Sequence, residues 1–251
     1  MNQVAPHYGD DWWFTTQFAF AQIEVGQADR AVRTIESVRD MCPRSANWAH
    51  IRSHVHYEIG ETAAGLIFLR DWLKDYGRQG PLHCHLSWHV ALWCLESGEV
   101  DDAWKTIDAS VRPGMAWGPP LNVLTDTASF LHRAELAGGA RQPERWREVS
   151  DYARRFFSKP GIAFADVHAA LAHAMAGDGS ALETLIRDPA GPAGDIVSAV
   201  SSAFEAFARQ AWNECIAALS SYMATHERLG GSRAQRDLVE FTLVASLMRA
   251  G

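Results

Sequence analysis

GQADRAVRTIESVRDMCP, residues 26–43, is the stretch on which the fold turns. Ala31, Ile35, Val38 and Pro43 stand in an A-x3-F-x2-A-x4-P relation. That pattern belongs to the second helix of a two-helix repeat, where small residues let helices approach closely and proline ends the unit. Gly26 has counterparts at Gly60 and Gly98, each after one apolar-periodic segment and before another. A glycine there lets the chain turn sharply between the two helices of a pair.

Working outward from that frame, Trp12 takes the first repeat position and Ala19 the small eighth one. The spacing predicts helices over 47–60 and 62–76. After an insertion at RQGP (78–81) it predicts two more over 82–97 and 100–111. Farther on the period blurs, but helical patterns continue over 121–137, 144–158, 162–176, 180–187, 196–209, 212–229 and 233–249. Gly/Pro punctuation separates them, as in GMAWGPP, AGGARQP and DPAGPAG. No segment alternates with a period of two, so no sheet is expected. The expected fold is all-α: a tetratricopeptide-like α-solenoid of about six antiparallel helix pairs plus a closing helix. It is read as one domain over 1–251, with clear repeats over 1–115 and degenerate repeats with the closing helix over 116–251.

Composition narrows the function classes. With 47% hydrophobic residues the chain can bury a core, and a formal charge of −7 with no Lys/Arg run argues against nucleic acid and anionic membrane surfaces. No 18-residue apolar run is present, and the start MNQVAPHYGDDWW lacks the n- and h-regions of a signal peptide. A cytoplasmic location is therefore expected. Cys42, Cys84, Cys94 and Cys215 show no CxxC spacing and read as buried free thiols.

Histidines carry the functional question. His50, His54 and Glu58 fall at i, i+4 and i+8 on one stripe of a helix, and His85 and His89 repeat the i, i+4 pair on the first helix of the next unit. The first unit offers Trp13, Thr16 and Phe20 at matching positions, and Trp88 lies between the last two histidines. Three readings stay open. Paired i, i+4 histidines are the zinc geometry of HExxH proteases, with Glu58 as a third ligand, but HExxH itself is missing. Imidazoles near carboxylates in a partly dry groove are suited to proton transfer. The third reading is hydrogen-bonded packing, or binding without reaction. The expectation adopted is a site with neither metal nor cofactor.

Weaker candidates lie farther along. Asp126 is an acid in an apolar helix pattern, His168 is a histidine in another, and Cys84 sits between histidine neighbours that point elsewhere on the helix. In GGSRAQRD (230–237), Ser232 and Gln235 form a capping box, and Arg236 and Asp237 follow as candidates for fixing an anionic group.

These pieces resemble the tetratricopeptide repeat protein 38-like family. The resemblance rests on NWAHIRSHVHYEIGE (47–61), CHLSWHVALWCLESGEVDDA (84–103), LTDTASFLHRAELAG (124–138) and GGSRAQRD (230–237). It implies a helical-repeat fold and singles out His50, His54, His85, His89, Trp88, Asp126, His168, Arg236 and Asp237. Family members are longer at the amino end, so this chain looks like a short version. The family supplies no reaction.

The leading expectation is a concave His/Trp-lined pocket for a small molecule or short peptide. In its enzymatic version His54 or His89 is the general base, Asp126 orients it and Arg236 clamps an anion. The competing expectation is a protein–protein adaptor anchored by Trp13, Phe20 and Trp88. A homodimer through an uncovered helix face is the expected assembly.

Overall fold

The computed structural model describes residues 1–251, and every regular element in it is helical. The chain forms two compact units, Met1–Ser110 and Val111–Gly251. The first holds α1 (Trp12–Glu24), α2 (Ala28–Ser37), α3 (Ala46–Glu58), α4 (Thr62–Leu73), α5 (His83–Glu96) and α6 (Val100–Ser110). The second holds α7 (Pro120–Leu136), α8 (Pro143–Phe156), α9 (Ala163–Ala176), α10 (Gly179–Arg187), α11 (Gly194–Ala208), α12 (Trp212–Ser220) and α13 (Arg233–Ala250).

In the first unit the chain enters helices where a side chain can satisfy a free N–H. The Asp11 carboxylate accepts from the Phe14 N–H at 2.6 Å to start α1, and the Ser45 hydroxyl accepts from the Trp48 N–H at 3.3 Å to start α3. The chain leaves α1, α3 and α5 through the repeated glycine: Gly26, Gly60 and Gly98 have φ of +76°, +72° and +79°. A Cβ in that left-handed region costs about 1–2 kcal/mol, so one backbone requirement recurs three times. Consecutive helices pack on one another, and α1 also packs on α3. The frame residues Ala19, Ala31, Ile35 and Val38 lie in one buried core with Ile23, Ile51 and Val55, and Trp48 is fixed among them by donating its indole N–H to the Ile35 carbonyl at 3.0 Å.

In the second unit α9 packs on both α7 and α11, and α13 packs on α11 and α12 and also on α7. His132 on α7 and Thr242 on α13 share a hydrogen bond of 2.9 Å. In a strictly linear array each repeat touches only its neighbours. The α7–α13 contact therefore closes this unit on itself. The Ser232–Gln235 capping box starts α13, its two reciprocal bonds satisfying donors that the helix start leaves open.

The helix expected over 212–229 is interrupted. α12 stops at Ser220, and Met223–Leu229 is a 3-10 segment broken by Thr225, with φ −136° and ψ 16°. The Thr225 hydroxyl donates to the Tyr222 carbonyl at 3.4 Å, and His226 Nδ1 bonds the Met223 carbonyl at 2.7 Å. Side chains that reach back three residues compete with the α-helical ladder, and here they win. No helix of the protein is long and apolar enough to cross a membrane. All four cysteines are buried free thiols.

The second unit buries His132, His168 and His173. Loss of water pushes His132 down to about 3, with Arg133 adding to the effect, and pushes His168 and His173 down to about 4. Since an unfolded histidine titrates near 6.5, these rings contribute their full stability above that pH, and the contribution is lost as protons bind the unfolded chain at lower pH. Each adds a slope of about 1.4 kcal/mol per pH unit. Urea unfolding across pH 6.5 to 4.5 should show stability of the second unit falling steeply with acidification. A flat profile over that window would contradict the buried neutral state of these rings.

Candidate functional site

Two helices of the first unit present the histidines. On α3, His50 and His54 stand one turn apart, and on α5, His85 and His89 do the same. The 3.6-residue period makes each pair a single stripe. His50 and His54 share a bond between their Nε2 atoms at 2.8 Å, and His50 Nε2 lies 3.0 Å from His85 Nε2. His89 completes the group, its ring centroid 4.7 Å from that of His54 and 5.0 Å from that of His85. One nitrogen from each of the four rings lies within 4.8 Å of the other three.

Aromatic rings wall this cluster. Phe20 of α1 meets His54 edge-on at 5.2 Å and lies 6.3 Å from His50. Trp88 stacks on His85 at 5.2 Å with planes only 13° apart, and Trp93 approaches His89 at 6.0 Å. His54, His85 and His89 are buried, while His50 keeps partial access to solvent. Withdrawal from water dominates the electrostatics: it pushes His54 down to about 3, with His85 adding like-charge repulsion. His50 is lowered well below its ordinary value by burial and by His54 and His85. Both rings are thus neutral at pH 7, with a lone pair on one nitrogen. A ring held near 3 is a weak base, far from the near-neutral pKa that suits general-base work.

Glu58, one turn beyond His54 on α3, has its Oε1 buried. Thr16 is fully buried and donates to the Trp13 carbonyl, but Trp13 itself is 54% exposed. The expected inward stripe of α1 therefore keeps Phe20 and loses Trp13, whose position at the first turn of the helix faces solvent. Trp88 is fully buried behind His85, so it supports the ring and presents no open binding surface. Cys84 is buried, and the metal-capable cluster does not include it. His56 turns away from the group and pairs with Glu61 at 3.1 Å. Trp93 went unrecognised in the sequence, although its place one turn after His89 on α5 is the signal that could have found it.

The remaining candidates belong to the second unit. Asp126 on α7 is fully buried and accepts from the Thr125 hydroxyl at 3.4 Å. His168 on α9 donates from Nδ1 to the Phe164 carbonyl at 2.7 Å, and its buried Nε2 has no hydrogen-bond partner. Arg236 bonds the Gly231 carbonyl at 2.5 Å, and Asp237 is buried in the second turn of α13. The Arg236 bond holds the loop that leads into α13.

No known protein-family profile matches the chain, and no solved structure matches it.

Placement of α5 depends on Gly65 of α4. A Cβ built there would lie 2.7 Å from the Trp93 ring and 3.0 Å from the Cβ of His56. Trp93 is 1% exposed and cannot retreat without moving the ring beside His89. Gly65→Val should therefore cost about 2 kcal/mol or more by overpacking, read as a lower chemical-denaturation midpoint. A midpoint equal to that of the unsubstituted chain would show that α4 and α5 part freely.

Proposed function

We propose that this chain is a helical-repeat protein of tetratricopeptide type, and that its first unit carries a ligand site at His50, His54, His85 and His89. In this reading the four imidazoles act as electron-pair donors to a small ligand. The observation that carries it is the meeting of nitrogen atoms from four rings within 4.8 Å of one another. Stacking alone would be satisfied by ring faces and C–H edges. Nitrogens gathered at one point in a dry, aromatic-walled space instead match a ligand that accepts lone pairs.

The recurrent left-handed glycine at 26, 60 and 98 supports the repeat reading. So does the place of both histidine pairs on the first helices of successive repeats, together with the resemblance to tetratricopeptide repeat protein 38-like proteins. A cytoplasmic setting fits four buried free thiols. General-base catalysis by His54 is disfavoured by its low basicity. The adaptor reading loses an anchor, because Trp88 is fully buried.

His50→Gln tests the site, since this ring is the most accessible of the four. Compared as ligand-free chains, the variant should keep the helical circular dichroism and lose less than about 1 kcal/mol of stability. Native mass spectrometry of the chain purified without chelators should show a bound non-protein mass that the variant lacks. If the variant instead unfolds, or carries the same bound mass as the unsubstituted chain, the rings belong to packing.

A further inference from the structure

We infer that the ligand of this site is a single divalent transition-metal ion, zinc by preference, held tetrahedrally by one nitrogen from each of His50, His54, His85 and His89. The inference rests on the ligand-site reading above and names the ligand's chemical class. Zinc binds imidazole nitrogen at about 2.0–2.1 Å, which puts neighbouring donors of a tetrahedron about 3.3 Å apart. The 2.8 Å and 3.0 Å separations, and the 4.8 Å limit on all pairs, bracket that spacing. Small rotations of the rings about their side-chain bonds would equalise the distances without moving either helix.

The donor set argues for the class of metal. Four imidazoles offer no hard oxygen for calcium or magnesium and no thiolate for copper(I) or iron–sulfur chemistry. Desolvated neutral imidazole is the form that ligates. The aromatic wall of Phe20, Trp88 and Trp93 limits the rings to few orientations, as ligand positioning requires. Glu58 sits on the same stripe of α3, where its carboxylate can offset part of the charge of a dication. His50 is the partly accessible member of the set and gives the ion a way in.

Four protein donors make a closed coordination shell, the mark of a structural zinc site. Its mechanical effect is specific: it ties α3 of one helix pair to α5 of the next. Binding to the folded state alone then raises the stability of the first unit by mass action.

The test uses the full chain without a polyhistidine tag, stripped with a chelator and dialysed. Titration with cobalt(II) should give the intense visible absorption of tetrahedral cobalt, saturating at one equivalent and displaced by zinc. Zinc should raise the melting temperature, and added chelator should reverse the rise. His50→Gln/His85→Gln should weaken cobalt binding by at least about 100-fold. The metal inference is overturned if the unsubstituted chain gives no tetrahedral spectrum, or if the double variant binds as tightly, which would put the ion elsewhere. The spectrum and melt of the unsubstituted chain decide the matter even if the double variant fails to fold. An organic bound mass with no cobalt spectrum would sink the metal assignment and leave the ligand site standing. An unsubstituted chain that gives neither a bound mass nor a cobalt spectrum would sink the site itself.

Discussion

Desolvation of imidazole is the constraint on which this molecule's organisation rests. A histidine taken out of water must stay neutral and find partners for two nitrogens that prefer opposite roles. The second unit meets that requirement for one nitrogen of each ring: His132 turns to Thr242, His168 to the Phe164 carbonyl and His173 to Ser150 at 2.8 Å. In the first unit, His50, His54 and His85 turn to one another, with His89 closing the group. Mutual satisfaction among like rings is a poor arrangement for protons, because one Nε2 of His50 faces two others. It is a good arrangement for lone pairs.

Packing fixes where that happens. Gly65 lets α4 lie directly on the Trp93 ring, and Trp93 stands beside His89. Trp88 backs His85, and Phe20 reaches the cluster from α1. Three helices thus contribute walls, while only α3 and α5 contribute nitrogen. Because interiors are close-packed, a shift of any wall residue is felt by the rings it touches. This sets the cluster apart from a surface histidine patch, where side chains reorient without cost.

Much of the helical outline was legible in the chain, for identifiable reasons. Ala31, Ile35, Val38 and Pro43 mark one helix and its end, and all but the proline lie in the core of the first unit. The glycines at 26, 60 and 98 mark turns because only a left-handed backbone makes them. Thr225 is where that legibility fails: a threonine and a histidine bonding back to nearby carbonyls break a segment whose apolar pattern reads as one helix. Trp13 fails for a different reason, since repeat position says which side of a helix a residue takes and not what covers that side near the helix start. The packing of α13 onto α7 was likewise invisible, because contacts between elements more than a hundred residues apart leave no periodic trace.

By itself, the sequence determined that the chain is helical and that His50 with His54, and His85 with His89, share stripes, because the 3.6-residue period is a local property of the backbone. Tertiary structure decided that the two stripes face each other and that Trp93 and Phe20 enclose them while Trp13 does not. It also decided that His50 and His54 are dry enough to be neutral. Direction across a helix interface and exclusion of water are products of packing between segments. No local spacing encodes them.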